Sequence, residues 1–121
     1  MKKTILIVEG NDLNLKLFDD LLQAHGYHTL KNKDGINAAV MAEKYCPDLI
    51  LMEIKLPKIS GFKVLEIIKS LDKTRNIPIV AVSALAMEGD ERKILEHGFD
   101  GYVAKPMPIS LLLKTIKHFL S

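Results

Sequence analysis

Five short segments of strand character, separated by stretches whose apolar residues fall at helical intervals, constrain this chain more than any other feature. The runs are Lys3 to Glu9, Tyr27 to Lys31, Asp48 to Ile54, Pro78 to Ser83 and Gly101 to Ala104; the second is brief and mixed in polarity, and the others are mainly apolar. A run without polar alternation suits a strand covered on both faces. Between the runs, Leu13, Leu17, Phe18, Leu21 and Leu22 predict one helix, capped by Asn11 or Asp12 and stopped by Gly26. Ile36, Ala39, Val40 and Ala42 predict a second, opened by Asp34 and closed by Pro47. Phe62, Val64, Leu65, Ile67, Ile68 and Leu71 predict a third, with Ser60 as its cap. A weaker polar helix is predicted over Met87 to His97, and a last one over Pro108 to Leu120, where proline suits the first turn.

Strands alternating with helices imply an α/β fold: a doubly wound parallel sheet with helices on both faces and right-handed crossovers. A length of 121 residues matches one domain, 1–121, and a chain this size builds its own core. No linker, repeat or low-complexity tract interrupts it. No apolar run reaches membrane-spanning length. The apolar start is too short for a signal peptide and lacks a small-residue cleavage site, so a cytoplasmic protein is expected.

Other classes are weakened by composition. The net charge of +2, with no Trp and no basic–aromatic stripe, gives no footprint for nucleic acid. His25, His28, His97 and His118 are scattered, without metal-ligand spacing. The single Cys46 excludes an internal disulfide and is expected to be a buried, inert thiol.

The chemistry gathers where the strands end. In open sheets of this kind the site lies beyond the carboxyl ends of the strands, at the switch point of strand order. The first run ends on Glu9-Gly10, the third on Glu53, the fourth on Ser83 and the fifth on Lys105-Pro106. Any one such residue reads most simply as the chain returning to water. Four together predict a shallow pocket holding two carboxylates, a hydroxyl and an ammonium.

These same stretches resemble the CheY-like receiver family over the whole chain. The likeness is carried by Ile5-Leu6-Ile7-Val8-Glu9, Pro47-Asp48-Leu49-Ile50-Leu51-Met52, Leu56-Pro57 with Ser60-Gly61, Pro78 to Ala84, and Gly101-Tyr102-Val103-Ala104-Lys105-Pro106. Within that family the chain is most similar to stand-alone cell-division regulators, through Asn11-Asp12-Leu13-Asn14, Lys16-Leu17-Phe18 and Ala84-Leu85-Ala86-Met87 with Gly89-Asp90-Glu91. The resemblance implies a flavodoxin-like sheet in the order 2-1-3-4-5 and a signalling module of a two-component phosphorelay rather than an enzyme. It implies a sensor histidine kinase or a histidine phosphotransferase as partner, with no nucleic acid and no membrane. A single domain with no output domain after Ser121 is expected, so any effect would come through a partner.

By resemblance, position 53 is the phosphoacceptor, Ser83 and Lys105 bind phosphoryl oxygens, and Tyr102 is the switch residue. Magnesium would be held by the acids after the first strand, by position 53 and by the carbonyl of Lys55. Leu85, Met87 and Ile94, with Tyr102 and the last helix, are candidate partner contacts; ordinary packing is the simpler reading for Ile94.

This chain departs from that pattern twice. The acidic pair after the first strand is Glu9-Gly10, and the acceptor aspartate is Glu53. Magnesium needs near-octahedral oxygen ligands, and Gly10 offers no side-chain oxygen. Asp12 is a replacement only if it does not cap the helix. Glu53 moves its carboxylate outward by roughly 1.5 Å, and phosphoryl transfer depends on positioning and charge neutralisation. Weak or absent magnesium and no efficient phosphorylation at Glu53 are therefore expected. Instead, Glu53 is expected to reach Lys105 or Ser83 directly, giving a receiver locked near one conformation or an inert site. A conventional phosphorylatable receiver, or a flavodoxin-like cofactor carrier, remains the alternative. The acidic loop Glu9-Gly10-Asn11-Asp12 and the lack of a G-x-G-x-x-G speak against the carrier.

Overall fold

A computed structural model describes residues 2–84 and 90–120. Among them are five strands, β1 (Thr4–Val8), β2 (His28–Asn32), β3 (Leu49–Met52), β4 (Ile79–Ser83) and β5 (Gly101–Ala104). They alternate with α1 (Asp12–Ala24), α2 (Ala38–Tyr45), α3 (Gly61–Ser70), α4 (Asp90–Glu96) and α5 (Ile109–Leu120). All strand pairs are parallel and the order is β2-β1-β3-β4-β5, as expected. Among the described residues no helix is long and apolar enough to cross a membrane.

Alternation along each buried strand divides the core in two. Leu6, Val8, Ile50, Met52, Ile79 and Ala81 face α2, α3 and α4, meeting Ala38, Ala42, Val64, Leu65, Ile68 and Ile94. Ile5, Ile7, Leu49, Leu51, Val80, Val82 and Val103 face α1 and α5, meeting Leu15, Phe18, Leu22, Leu112 and Ile116. Both faces are covered, which is why these strands read as unbroken apolar runs.

The helix faces differ in part from expectation. In α1 the buried stripe is Leu15, Phe18, Asp19 and Leu22, while Leu13 and Leu17 point outward at 81% and 53% exposure. In α2 the small Ala38, Ala39 and Ala42 are buried, and Val40, together with Ile36 just before the helix, is exposed. Alanines let that helix lie close to the sheet, so the bulkier residues turn away. Ile67 of α3 is also partly exposed, whereas Ile94 is packed as the simpler reading had it. Cys46 is exposed, not buried: it closes α2 with a left-handed backbone, φ 45°. The following Pro47 disfavours the helical region at this position. The predicted helix over Met87 to His97 is described only from Asp90; Leu85 and Met87 lie outside the described residues.

Asp19 is a buried carboxylate that joins α1 to β2. It accepts from the Thr29 hydroxyl and from Gln23 Nε2 at 2.8 Å, and pairs with Lys31 Nζ at 3.2 Å. Burial pushes its carboxyl up, but these donors together hold it below the ordinary carboxylate value of 3.8. A depressed folded-state value adds stability that is full above the ordinary range and is lost as pH falls through it. Asp19→Asn should cost about 1.5–3 kcal/mol at pH 7. In urea unfolding, that deficit should shrink toward pH 3.

Candidate functional site

Strand register places the site. Val8 of β1 pairs with Met52 of β3, so the next residues, Glu9 and Glu53, leave the sheet side by side. The Glu53 amide donates to the Val8 carbonyl at 2.9 Å, and the Glu9 amide to the Asn32 carbonyl at 3.0 Å. Ser83 pairs with Ala104 on β5, so Lys105 follows directly, its amide donating to the Ser83 carbonyl at 2.8 Å. The Lys105–Pro106 peptide bond is cis. The four strand-end residues thus meet at the break in strand order between β1 and β3, where open parallel sheets place their ligands.

The strand-end side chains are largely shielded from solvent. Glu9 and Glu53 are 4% and 8% exposed, and Ser83 is fully buried. The Lys105 ammonium donates to Glu9 Oε1 and lies 3.8 Å from Glu53 Oε1. It also sits 5.8 Å from the centre of the Phe18 ring. The second oxygen of each carboxylate is held by backbone: the Asn11 amide donates to Glu9 Oε2 at 3.1 Å, and the Ile54 amide to Glu53 Oε2 at 3.0 Å. The Ser83 side chain also acts on the Glu53 carboxyl, lowering it. Among the described residues, no buried side-chain nitrogen or oxygen lacks a partner.

Local sequence explains each support. Asn11 caps α1, its side chain accepting from the Asn14 amide at 3.0 Å. Its own amide is thereby turned toward Glu9. Ser60 caps α3 by accepting from the Phe62 amide at 3.2 Å. Gly61 admits the start of α3 against the end of β3: a methyl group there would fall 2.6 Å from the Glu53 carbonyl oxygen.

The remaining residues named from sequence lie around this centre. Gly10 and Lys55 line the same cleft, with Asn11, Asn14, Leu56, Pro57 and Ala84. Asp12 turns away from it and pairs with Lys33. Tyr102 is half-buried and packs against the α2–α3–α4 side of the core. Its hydroxyl is pushed up by burial and then by the charges of Asp90, Glu91 and Glu53. Among the described residues no group of three or more His, Cys, Asp or Glu side chains is placed to hold a metal ion. Sequence reasoning missed the contributions of Phe18 and Asn11 to the pocket. It assigned Phe18 to the core and weighed Asn11 only as a cap.

Electrostatics set two carboxylates against one ammonium. Burial raises the Glu53 carboxyl above 4.5; Lys105 opposes this, as do the Ile54 amide and the Ser83 hydroxyl, while Glu9 adds to it.

The family and structural comparisons agree with this fold. Residues 5–117 match the response regulator receiver domain. The chain is 45% identical over 120 residues to the polar-differentiation response regulator DivK of Brucella anthropi, covering 99% of this chain and 98% of that protein. Its structure superimposes on the receiver domain of the sensor histidine kinase PA1611 of Pseudomonas aeruginosa, solved with magnesium coordinated in the active site cleft, with a TM-score of 0.91. The identity is 32%, covering 99% and 98% of the two chains. A response regulator from Desulfuromonas acetoxidans gives a TM-score of 0.89 at 30% identity, covering 98% and 96%.

Because its folded-state value is raised, Glu53 stays protonated to a higher pH in the folded protein than in the unfolded chain. Stability is therefore lost as pH rises from the ordinary glutamate range to the folded value. Carbon-13 titration of the side-chain carboxyls should give Glu53 a midpoint above 4.5, and a still higher one in Lys105→Met. Glu53→Gln should abolish that part of the pH-dependent loss.

Proposed function

Since the chain belongs to the response regulator receiver domain family, we propose that it acts in two-component signalling by binding partners, without phosphorylation at Glu53 and without catalysing a reaction. One observation carries this reading: the Lys105 ammonium sits between Glu9 and Glu53, in the place where a phosphorelay site needs free carboxylates and a free lysine.

The residues present fit magnesium poorly. A hard divalent ion takes near-octahedral oxygen ligands and is usually held by one or two carboxylates. Gly10 supplies no side-chain oxygen, Asp12 is paired with Lys33, and both site carboxylates face an ammonium. The PA1611 receiver holds magnesium; this chain is proposed to bind it weakly or not at all. Phosphoryl acceptance fails for a second reason. Glu53 is already engaged by the Ile54 amide and by Lys105, the latter being a group assigned to the incoming phosphoryl oxygens.

The same contacts supply part of what phosphorylation would supply. Glu53 brings a carboxylate to Ser83 and Lys105 with one charge and two oxygens, against up to about two charges and three oxygens for a phosphoryl group. With Glu53 against Lys105 and Tyr102 half-buried against the core, the reading is a receiver held near one conformation. A sensor histidine kinase or a histidine phosphotransferase in the cytoplasm is the proposed partner. Leu13 and Leu17 of α1 are exposed. Beside Leu17, a groove of about 380 Å³ lined by Asn14, Phe18, Ala84, Lys105, Pro106 and Met107 adjoins the site. An apolar patch rimmed by polar groups suits an amphipathic helical surface.

The test combines a small phosphodonor with a binding assay. With acetyl phosphate and magnesium, intact-mass spectrometry should show no added phosphoryl group. Affinity for a histidine phosphotransferase should change less than about twofold, which is under 0.5 kcal/mol. A phosphoryl adduct at Glu53, or partner binding gated by the donor, would restore the conventional phosphoreceiver.

A further inference from the structure

Lysine ammoniums gather around one half-buried aromatic ring at the start of α3. Phe62 borders a hollow of about 540 Å³ that Lys55, Lys58 and Ser60 also line, and no carboxylate lines it. From α4, the Lys93 ammonium lies 5.9 Å from the centre of the Phe62 ring. Other exposed lysines carry their own counter-charge: Lys16 pairs with Asp20, Lys33 with Asp12 and Lys63 with Glu66. Among the described residues, Lys55, Lys58 and Lys93 have no such carboxylate. All three are exposed, and their side chains lie outside the stretches that carry the receiver likeness.

The ring itself is fixed from behind. His97 packs tilted against it with centroids 4.3 Å apart, and the buried Phe99 meets it edge-on at 6.0 Å. His97 Nδ1 lies 2.8 Å from the Lys93 carbonyl oxygen, tying this packing to α4. An aromatic anchor held in place before binding loses little freedom when a partner arrives, and such anchors dominate protein interfaces.

What the hollow has and lacks selects its occupant. Its cations sit on exposed side chains, and the Ser60 hydroxyl oxygen already accepts from the Phe62 amide at 3.2 Å. No cradle of buried donors is therefore built for a small anion. A nucleic acid would meet Asp90 and Glu91 in the first turn of α4, and these acids repel a phosphate backbone. Acidic side chains flanking an apolar one would satisfy both the lysines and the ring.

We infer that this hollow is a second docking surface, which takes an acidic segment with an apolar anchor from a protein partner. It lies on the face of the sheet covered by α2, α3 and α4, opposite the α1 groove offered to a histidine phosphotransferase. Docking here depends neither on the state of Glu53 nor on magnesium.

The test is amide NMR of the full chain, titrated with a synthetic peptide of glutamates around a central Leu-Phe pair. Shifts should gather at residues 55–62 and at Lys93 and His97, and a peptide with lysines in place of the glutamates should leave them unmoved. Lys58→Glu should weaken binding about fivefold, whereas Lys73→Glu, the same charge change at an exposed site away from the hollow, should alter it less than about twofold. Absence of binding, shifts spread over Lys2, Lys73 and Lys114, or equal weakening by the two variants would overturn the docking surface. Sedimentation of the protein alone covers the remaining occupant. Self-association that Lys58→Glu abolishes would assign the hollow to a second copy of this chain and overturn the separate partner. Neither readout involves Glu53, so failure here leaves the test of phosphoryl acceptance standing.

Discussion

A lysine ammonium lodged between two buried carboxylates governs the chemistry of this pocket. Glu9 and Glu53 emerge from adjacent strands with almost no access to water, and their charges are tolerable only if something cationic lies between them. Where a divalent ion is absent, Lys105 is the group in place to do this. Its position is fixed by the end of β5 and by the Phe18 ring beneath it. The neutralisation remains incomplete, so the Glu53 carboxyl stays above its ordinary value despite three favourable partners.

That arrangement is a product of parallel-sheet geometry. Register carries the pairing of Val8 with Met52 and of Ser83 with Ala104 straight out of the sheet, so the residues after them converge without any long loop. Two apolar layers hold the strands at this register, because slipping one residue would reverse every buried side chain. The caps at Asn11 and Ser60 then aim helix starts at the same edge. Fold and site are thus one construction: altering the register of β1 or β3 would separate Glu9 from Glu53.

Much of this was legible in the residues. Four mainly apolar runs and the brief second strand marked out the sheet, and the polar residues at strand ends marked Glu9, Glu53, Ser83 and Lys105 as a group. Legibility failed where helical periodicity was crowded. Leu13, Leu15, Leu17, Phe18, Leu21 and Leu22 are too many for one face of α1, and the chosen stripe runs through Leu15 and Leu22 with a carboxylate, Asp19, inside it. Hydrophobic patterning could not favour a stripe containing an acid, since Thr29 and Lys31, which satisfy it, come from the next strand. In α2 the alanines won the buried side for reasons of closeness, not hydrophobicity. Cys46 followed the rule that free cysteines are buried, and was exposed by a left-handed helix end ahead of Pro47.

The most direct measurement of the central claim is a crystal structure of the unaltered protein grown with magnesium and beryllium trifluoride. The Lys105 ammonium should lie between Glu9 and Glu53, with neither ion in the cleft. An octahedral cation joining Glu9, Glu53 and the Lys55 carbonyl, with Lys105 and Ser83 turned to a beryllofluoride, would contradict it.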